Sequence, residues 1–163
     1  VSARSKARKR ALDVLYEADI RGTSAPDVLA SQAERRLDSG DPALNDYVAE
    51  LVGGVERNRE RIDELLSTYS MGWSLDRMPA VDRSVLRLAA YEVIWRDDIP
   101  DAVAISEAVG LAQDLSTEES AAFVNGLLGR LSDIKARLGI EPEVIEGLDA
   151  EPAELTTGEM PSP

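Results

Sequence analysis

Large apolar residues recur along this chain at intervals of three and four, the spacing that lays them on one side of an α-helix. In residues 4–20, Ala7, Ala11, Leu12, Val14, Leu15 and Ala18 share a side, while Lys6, Lys9, Arg10, Asp13 and Glu17 fall opposite. Gly22 ends that helix, and Pro26 opens a short second one with Val28, Leu29 and Leu37 as its apolar positions. Ser39-Gly40-Asp41-Pro42 reads as a turn, with Asp41 as N-cap and Pro42 at the first helical position. A long stripe follows through Leu44, Tyr47, Val48, Leu51, Val52, Val55, Ile62, Leu65, Leu66 and Tyr69. Within it Gly53-Gly54 marks either a bend or a close helix contact.

Pro79 starts the next helix, which runs with Val81, Val85, Leu88, Ala89, Val93 and Ile94 to about Arg96. Asp101 caps a helix from Val103 to Leu115, in which Gly110 costs about 1 kcal/mol relative to alanine. Ser116-Thr117-Glu118-Glu119 has capping-box spacing ahead of a stripe of Phe123, Leu127, Leu131, Ile134 and Leu138. No segment sustains the two-residue alternation of a strand. The pattern predicts an all-α fold of six or seven helices.

Charge adds a direction to this picture. The first ten residues hold Arg4, Lys6, Arg8, Lys9 and Arg10 and no acid, in a chain of net charge -13. A basic end on an acidic body draws a polyanion to one place and repels it elsewhere. A nucleic-acid backbone rewards such a cluster through counterion release; a solvated terminus is the plainer alternative. Arg4 and Arg8 project toward the apolar side of their helix but ahead of its large residues, so both are expected to overhang the core. Residues 141–163 hold seven acids, four prolines and no Lys or Arg. They bury too little apolar surface to offset their ordering entropy and are expected to form a disordered acidic tail.

Composition removes several chemistries. With no cysteine and no histidine, there is no thiol nucleophile, imidazole base or Cys/His zinc site. No carboxylate pair, phosphate loop or metal cluster stands out, so no cofactor is expected. No apolar run approaches a bilayer span, and Asp13, Glu17 and Asp19 interrupt the segment where a signal peptide would be apolar. The expectation is a soluble cytoplasmic protein.

Five stretches, in order, resemble the NusB family of bacterial transcription antitermination factors. They are ARKRALDVLY (7–16), ELVGGVERNRERIDELL (50–66), LDRMPAVDRSVLRLAAYEV (75–93), DIPDAVAISEAVGLAQ (98–113) and FVNGLLGRL (123–131). The resemblance spans about residues 4–138. It implies two small helical bundles packed together within residues 1–140, and a binding protein rather than an enzyme. The implied partners are single-stranded boxA RNA of nascent transcripts, NusE (a small-subunit ribosomal protein) and the RNA polymerase antitermination complex. The basic segment Arg4, Lys6, Arg8, Lys9 and Arg10 matches the family's RNA contact, and Phe123 its stacking aromatic. For Phe123 a core role on the Leu127–Leu131 stripe weighs equally. Asn125 is expected to cap or bridge locally rather than read a base. Tyr16 and Asp82 match NusE contacts; taken alone they read as a half-buried tyrosine and a dipole-favoured acid.

This chain departs from the family at Ser106, where Asn is common, and at Gly110, where a charge is. Gln113 and Leu115 replace a common Lys and Phe. Related ribosomal-RNA methyltransferases carry the same helical domain but need a catalytic cysteine, which is missing here. The alternatives kept open are a helix-turn-helix DNA-binding protein, whose basic residues would lie on a recognition helix instead, and a helical interaction module or homodimer that does not read RNA.

Overall fold

The computed structural model describes residues 2–145, and every regular element among them is helical. The helices are α1 (Ala3–Arg21), α2 (Ala25–Ser39), α3 (Asp46–Tyr69), α4 (Ala80–Trp95), α5 (Asp101–Leu115) and α6 (Glu118–Leu138), with a 3-10 turn at Leu75–Arg77. Helices α1–α3 form one bundle and α4–α6 another; α4 joins them by packing on both α1 and α3. Helix α4 is accordingly buried on nearly every side, from Val85 through Trp95.

Local chemistry fixes the helix ends. The Ser2 hydroxyl accepts from the Ser5 N–H at the start of α1, and Gly22 closes the helix in the left-handed region at φ 64°. That conformation disfavours any residue with a Cβ. Three expected starts move. Helix α3 begins at Asp46, capped by Asn45, because the Asn45 side chain reaches the Tyr47 N–H while Asp41 and Pro42 stay in the connecting loop. Asp101 is the first helical residue of α5, not its cap. At α6 the cap is Thr117, whose hydroxyl accepts from the Ser120 N–H, so the expected Ser116–Glu119 box is displaced by one residue.

Gly54 is a close contact and not a bend, since α3 runs unbroken. A Cβ built on Gly54 would lie 2.0 Å from Cζ of Tyr91, so the bare backbone lets α3 and α4 approach. Leu37, expected on the buried side of α2, is instead 80% exposed, in the last turn of that helix.

The expected tail boundary at residue 140 also moves. The Glu143 N–H donates to the Trp95 carbonyl at 2.8 Å. Its carboxylate takes bonds from Arg57 Nη2 (2.8 Å), Asn58 Nδ2 (2.7 Å) and the Tyr91 hydroxyl (2.7 Å). Burial would raise the Glu143 carboxyl, but Arg57, Tyr91 and Asn58 together hold it below the usual range. Residues 141–145 are therefore strapped across α3 and α4. The disorder expected of residues 146–163 lies outside the described residues.

Candidate nucleic-acid interface

The five cations of α1 divide by their angular position on the helix. Arg8 does not overhang the core: it is 3% exposed and packed into it. Its Nε and Nη2 fork onto the Glu92 carboxylate at 2.9 Å each, and the Tyr47 hydroxyl donates to the same carboxylate at 2.6 Å. Burial works against the Arg8 charge, but Glu92 outweighs it, and the guanidinium is held more firmly protonated than usual. Burial and the Glu92 charge likewise push the Tyr47 hydroxyl far up. Arg8 thus belongs with the machinery that positions α1, and it is closed to a ligand in this conformation.

Arg4 lies one turn earlier and sits over the Tyr47 ring, 4.6 Å from its centre, with Asp98 3.7 Å away. Arg8 and Arg96 also flank that ring. Arg96 is buried and bonded to Asp98 and Glu50, which hold it charged despite its burial. Tyr47 is therefore the hub that seats the basic end of α1 on the ends of α3 and α4. Asp19 fastens the other end, accepting from Arg83 at 2.6 Å. The pairs Arg8–Glu92 and Asp19–Arg83 make α1 antiparallel to α4.

The remaining cations face outward. Lys6, Lys9 and Arg10 line an open groove of about 670 Å³ between α1 and α5, together with Ser106 and Gly110. Asp13, Glu107 and Asp114 line it too. Two of these acids are engaged: Lys9 reaches Asp13 at 2.7 Å, and Glu107 accepts from the Ser5 hydroxyl. The side chains of Lys6 and Arg10 have no ion-pair or hydrogen-bond partner among the described residues. Gly110 is open as well, since a Cβ there would meet nothing within 4 Å. Replacing a charged side chain with hydrogen at this position widens the groove rather than relieving a clash.

Ser106 and Gly110 also belong to a shallower depression between α5 and α6, which Gln113 and Asn125 share. Asn125 is exposed, and its amide has no bonding partner among the described residues. The expected local bridge is absent, because Asn125 points away from the stripe that buries Leu127, Leu128 and Leu131. Phe123 lies elsewhere on α6. It is half-buried and packs on Trp73, ring centres 5.1 Å apart and planes inclined by 40°. Its environment combines core contact with an open side. It does not line the groove that holds Lys6, Lys9 and Arg10.

Tyr16 is 39% exposed, and Ile20, one turn further along α1, is exposed with it. Asp82 is wholly buried. Its Oδ2 accepts from the Ser120 hydroxyl at 2.6 Å, tying the first turn of α4 to the first turn of α6. The Tyr16 side chain is therefore open to solvent, and the Asp82 side chain is not accessible in this conformation.

Residue-by-residue reading missed Glu92, Trp73 and a second group of arginines. For Glu92 the signal is a carboxylate within the otherwise apolar run Leu88–Trp95. Trp73 sits in a short loop between Gly72 and Ser74, where an indole outside any helical stripe is itself the signal. Arg35 and Arg36, at the end of α2, share a concavity with Arg10, Gln32 and Ser39.

Comparison with known proteins places the fold and the sequence in one family. The NusB family pattern matches residues 5–133. A transcription antitermination protein NusB from a Nocardioides species is 59% identical over 131 residues, which is 80% of this chain and 94% of that protein. The solved NusB of T. maritima is 35% identical, with a TM-score of 0.70 over 80% of this chain and 90% of that one. A structure of the antitermination factors NusB and NusE with double-stranded RNA aligns with a TM-score of 0.70 at 28% identity, covering 80% and 96%. With its six helices in the same architecture and its sequence matched over most of its length, the chain belongs to the NusB family.

Proposed function

We propose that this chain is a transcription antitermination factor. In this reading it binds single-stranded boxA RNA of nascent transcripts, ribosomal ones above all, together with NusE, and promotes read-through by RNA polymerase. It acts in the cytoplasm, by binding and without catalysis. The observation that carries the reading is the α1 end: Lys6 and Arg10, without side-chain partners among the described residues, present their charges on a helix locked in place by the buried Arg8–Glu92 fork. Clustered cations on a rigid mount suit a phosphate backbone, because little side-chain or helix entropy is lost on binding beyond that of the cations themselves.

Arg4, Lys6, Lys9 and Arg10 are the phosphate contacts in this reading. Arg8 positions them. The Lys9–Asp13 pair is exposed at both ends, and exposed pairs of this kind are worth only about 0.3–0.5 kcal/mol, so a phosphate can displace the carboxylate. Phe123, with one open side, is the stacking surface for a base. NusE docks on the exposed strip of Tyr16 and Ile20; Asp82, buried against Ser120, contributes only indirectly, by fixing the first turn of α4, whose Arg83 bonds Asp19 beside Ile20. A basic ribosomal protein is attracted to a body of net charge -13.

Titration with boxA RNA, single- and double-stranded, with and without NusE, tests this. Four engaged cations should give log affinity a slope of about -2.8 against log salt for single-stranded RNA. NusE should tighten the complex. Absence of salt-dependent RNA binding in both conditions would overturn the reading.

A further inference from the structure

Arg10 is lined up with two surfaces at once. On one side it faces the α1–α5 groove with Lys6 and Lys9. On the other it faces the concavity where the end of α2 crosses α1, with Arg35, Arg36 and Ser39 around it. The two surfaces differ in their charge balance. In the α1–α5 groove three acids accompany the three cations. On the α2 side Arg10, Arg35 and Arg36 face only Glu17 and Asp41. Glu17 is already occupied by Arg21 at 3.3 Å and by the Gln32 amide, as Asp13 and Glu107 are by Lys9 and Ser5 in the other groove, which leaves Asp41 against three arginines on this side and Asp114 against Lys6 and Arg10 on that one.

The state of each arginine points the same way. Most arginines in the body are consumed internally: Arg83 and Arg87 by Asp19, Arg96 by Asp98 and Glu50, Arg57 by Glu143. Arg35 is exposed, and its guanidinium has no ion-pair or hydrogen-bond partner among the described residues. Arg36 is half-buried and fixed by one bond, Nε to the Pro42 carbonyl at 2.8 Å, which leaves its two terminal nitrogens uncommitted. Arg77 and Arg137 likewise have no side-chain partner among the described residues but lie on other elements. Among the described residues, Lys6, Arg10 and Arg35 are therefore unpartnered cations gathered around one end of α1, with Arg36 held beside them.

A polyanion lying only in the α1–α5 groove would leave Arg35 and the outer side of Arg10 unused and would run toward Asp114. A polyanion that turns over Arg10 onto α2 moves up the gradient of positive charge. We propose that the RNA track of this chain continues past Arg10 onto the end of α2, where Arg35 and Arg36 hold phosphates flanking the boxA element. This rests on the RNA-binding reading above and adds to it a second segment of contact and a preference for longer transcripts. It needs no base readout, because guanidinium–phosphate contacts carry no sequence information.

The test compares two single-stranded RNAs: the boxA element alone and the same element extended with uridines at both ends. The wild-type chain should bind the extended RNA several-fold more tightly at low salt, with a steeper salt dependence. Arg35→Ala should leave the short RNA unaffected, bring the extended RNA down toward it, and lower the extended RNA's slope by about 0.7. Arg35→Glu should exaggerate that loss. Arg35 is exposed, so both variants should keep the wild-type helical circular dichroism and melting temperature. Unchanged affinity of Arg35→Glu for the extended RNA would overturn the extension while leaving the α1 contact standing, as expected of a patch that serves a protein instead. Equal loss on both RNAs would also overturn it, placing Arg35 within the element's own site. A wild-type chain that binds neither RNA would remove the underlying reading and the extension together.

Discussion

The Arg8 guanidinium and the Glu92 carboxylate form a two-bond fork inside the protein, both bonds at 2.9 Å, where neither residue is more than 3% exposed. This pair, with Tyr47 donating to the same carboxylate, is what sets α1 against α4. Its worth appears only when it is broken. Glu92→Ala strands a buried cation, and Arg8→Ala a buried anion; each should cost about 3–5 kcal/mol. Arg8→Met combined with Glu92→Leu restores apolar packing and removes both charges, so it should cost much less than the sum of the single changes. Chemical denaturation of the four proteins checks this. Additive losses would mean that the two residues act independently. The double variant also isolates function: if Arg8 only positions α1, its salt dependence for RNA should match wild type.

Gly54 gives a second prediction, from space rather than charge. A methyl group there would overlap the Tyr91 ring, and neither α3 nor α4 can withdraw without opening the core around Val55 and Leu88. Gly54→Ala should destabilise by about 1–3 kcal/mol through overpacking, against the gain alanine normally brings to a helix. Gly110→Ala is the matched control. It meets nothing within 4 Å and should stabilise by up to about 1 kcal/mol. Opposite signs at two helical glycines, read from melting temperatures, would confirm that contact and not propensity governs Gly54.

The helices were legible because each buries a stripe whose period is visible in the sequence, and the Gly22 stop needed only a residue free to adopt positive φ. The Asn45 and Thr117 caps were misplaced by a few residues because several Asp, Ser and Thr compete near each boundary. Which hydroxyl or amide reaches the free N–H depends on backbone geometry that composition does not encode. The interface was legible as a cluster of cations but not as a division of labour. Sequence spacing cannot say that Arg8 finds Glu92, since that partner lies on another helix 84 residues away. The same limit hid the proximity of Arg10 to Arg35, and the pairing of Phe123 with Trp73. Burial of Asp82 was invisible for the same reason: its partner, Ser120, is long-range.

Acid should loosen the seat of α1 at its far end. Burial alone would raise the Asp19 carboxyl, but Arg83 and then Arg87 outweigh it and hold it below its ordinary 3.8. A carboxyl depressed in the folded state contributes stability that is fully present above the unfolded value and is lost as pH falls through the folded one. Asp19→Asn should therefore cost about 1.5–3 kcal/mol at neutral pH, the usual worth of hydrogen bonds to a charged group. The gap between variant and wild type should narrow as the pH is lowered below 3.8. Denaturant titrations at a series of pH values measure the gap directly. A difference independent of pH would assign the loss to packing.

Phe123 joins the stability and function of the molecule, and two substitutions separate them. The ring is half-buried and leans on Trp73 at 5.1 Å, a distance and tilt at which an aromatic pair contributes about 0.5–1.5 kcal/mol beyond its buried area. Phe123→Leu keeps most of the apolar volume, so the fold should lose only about that much. The flat face is lost entirely. If a base stacks on the open side, RNA affinity should fall by about 1–3 kcal/mol in a protein that is still folded. Trp73→Leu removes the neighbour but leaves the Phe123 face in place; it should weaken stability by a similar amount and RNA binding by less. Melting curves and RNA titrations on both variants decide the matter. Full RNA affinity in folded Phe123→Leu would make the ring a purely structural partner of Trp73 and would confine the RNA contact to the cations around α1.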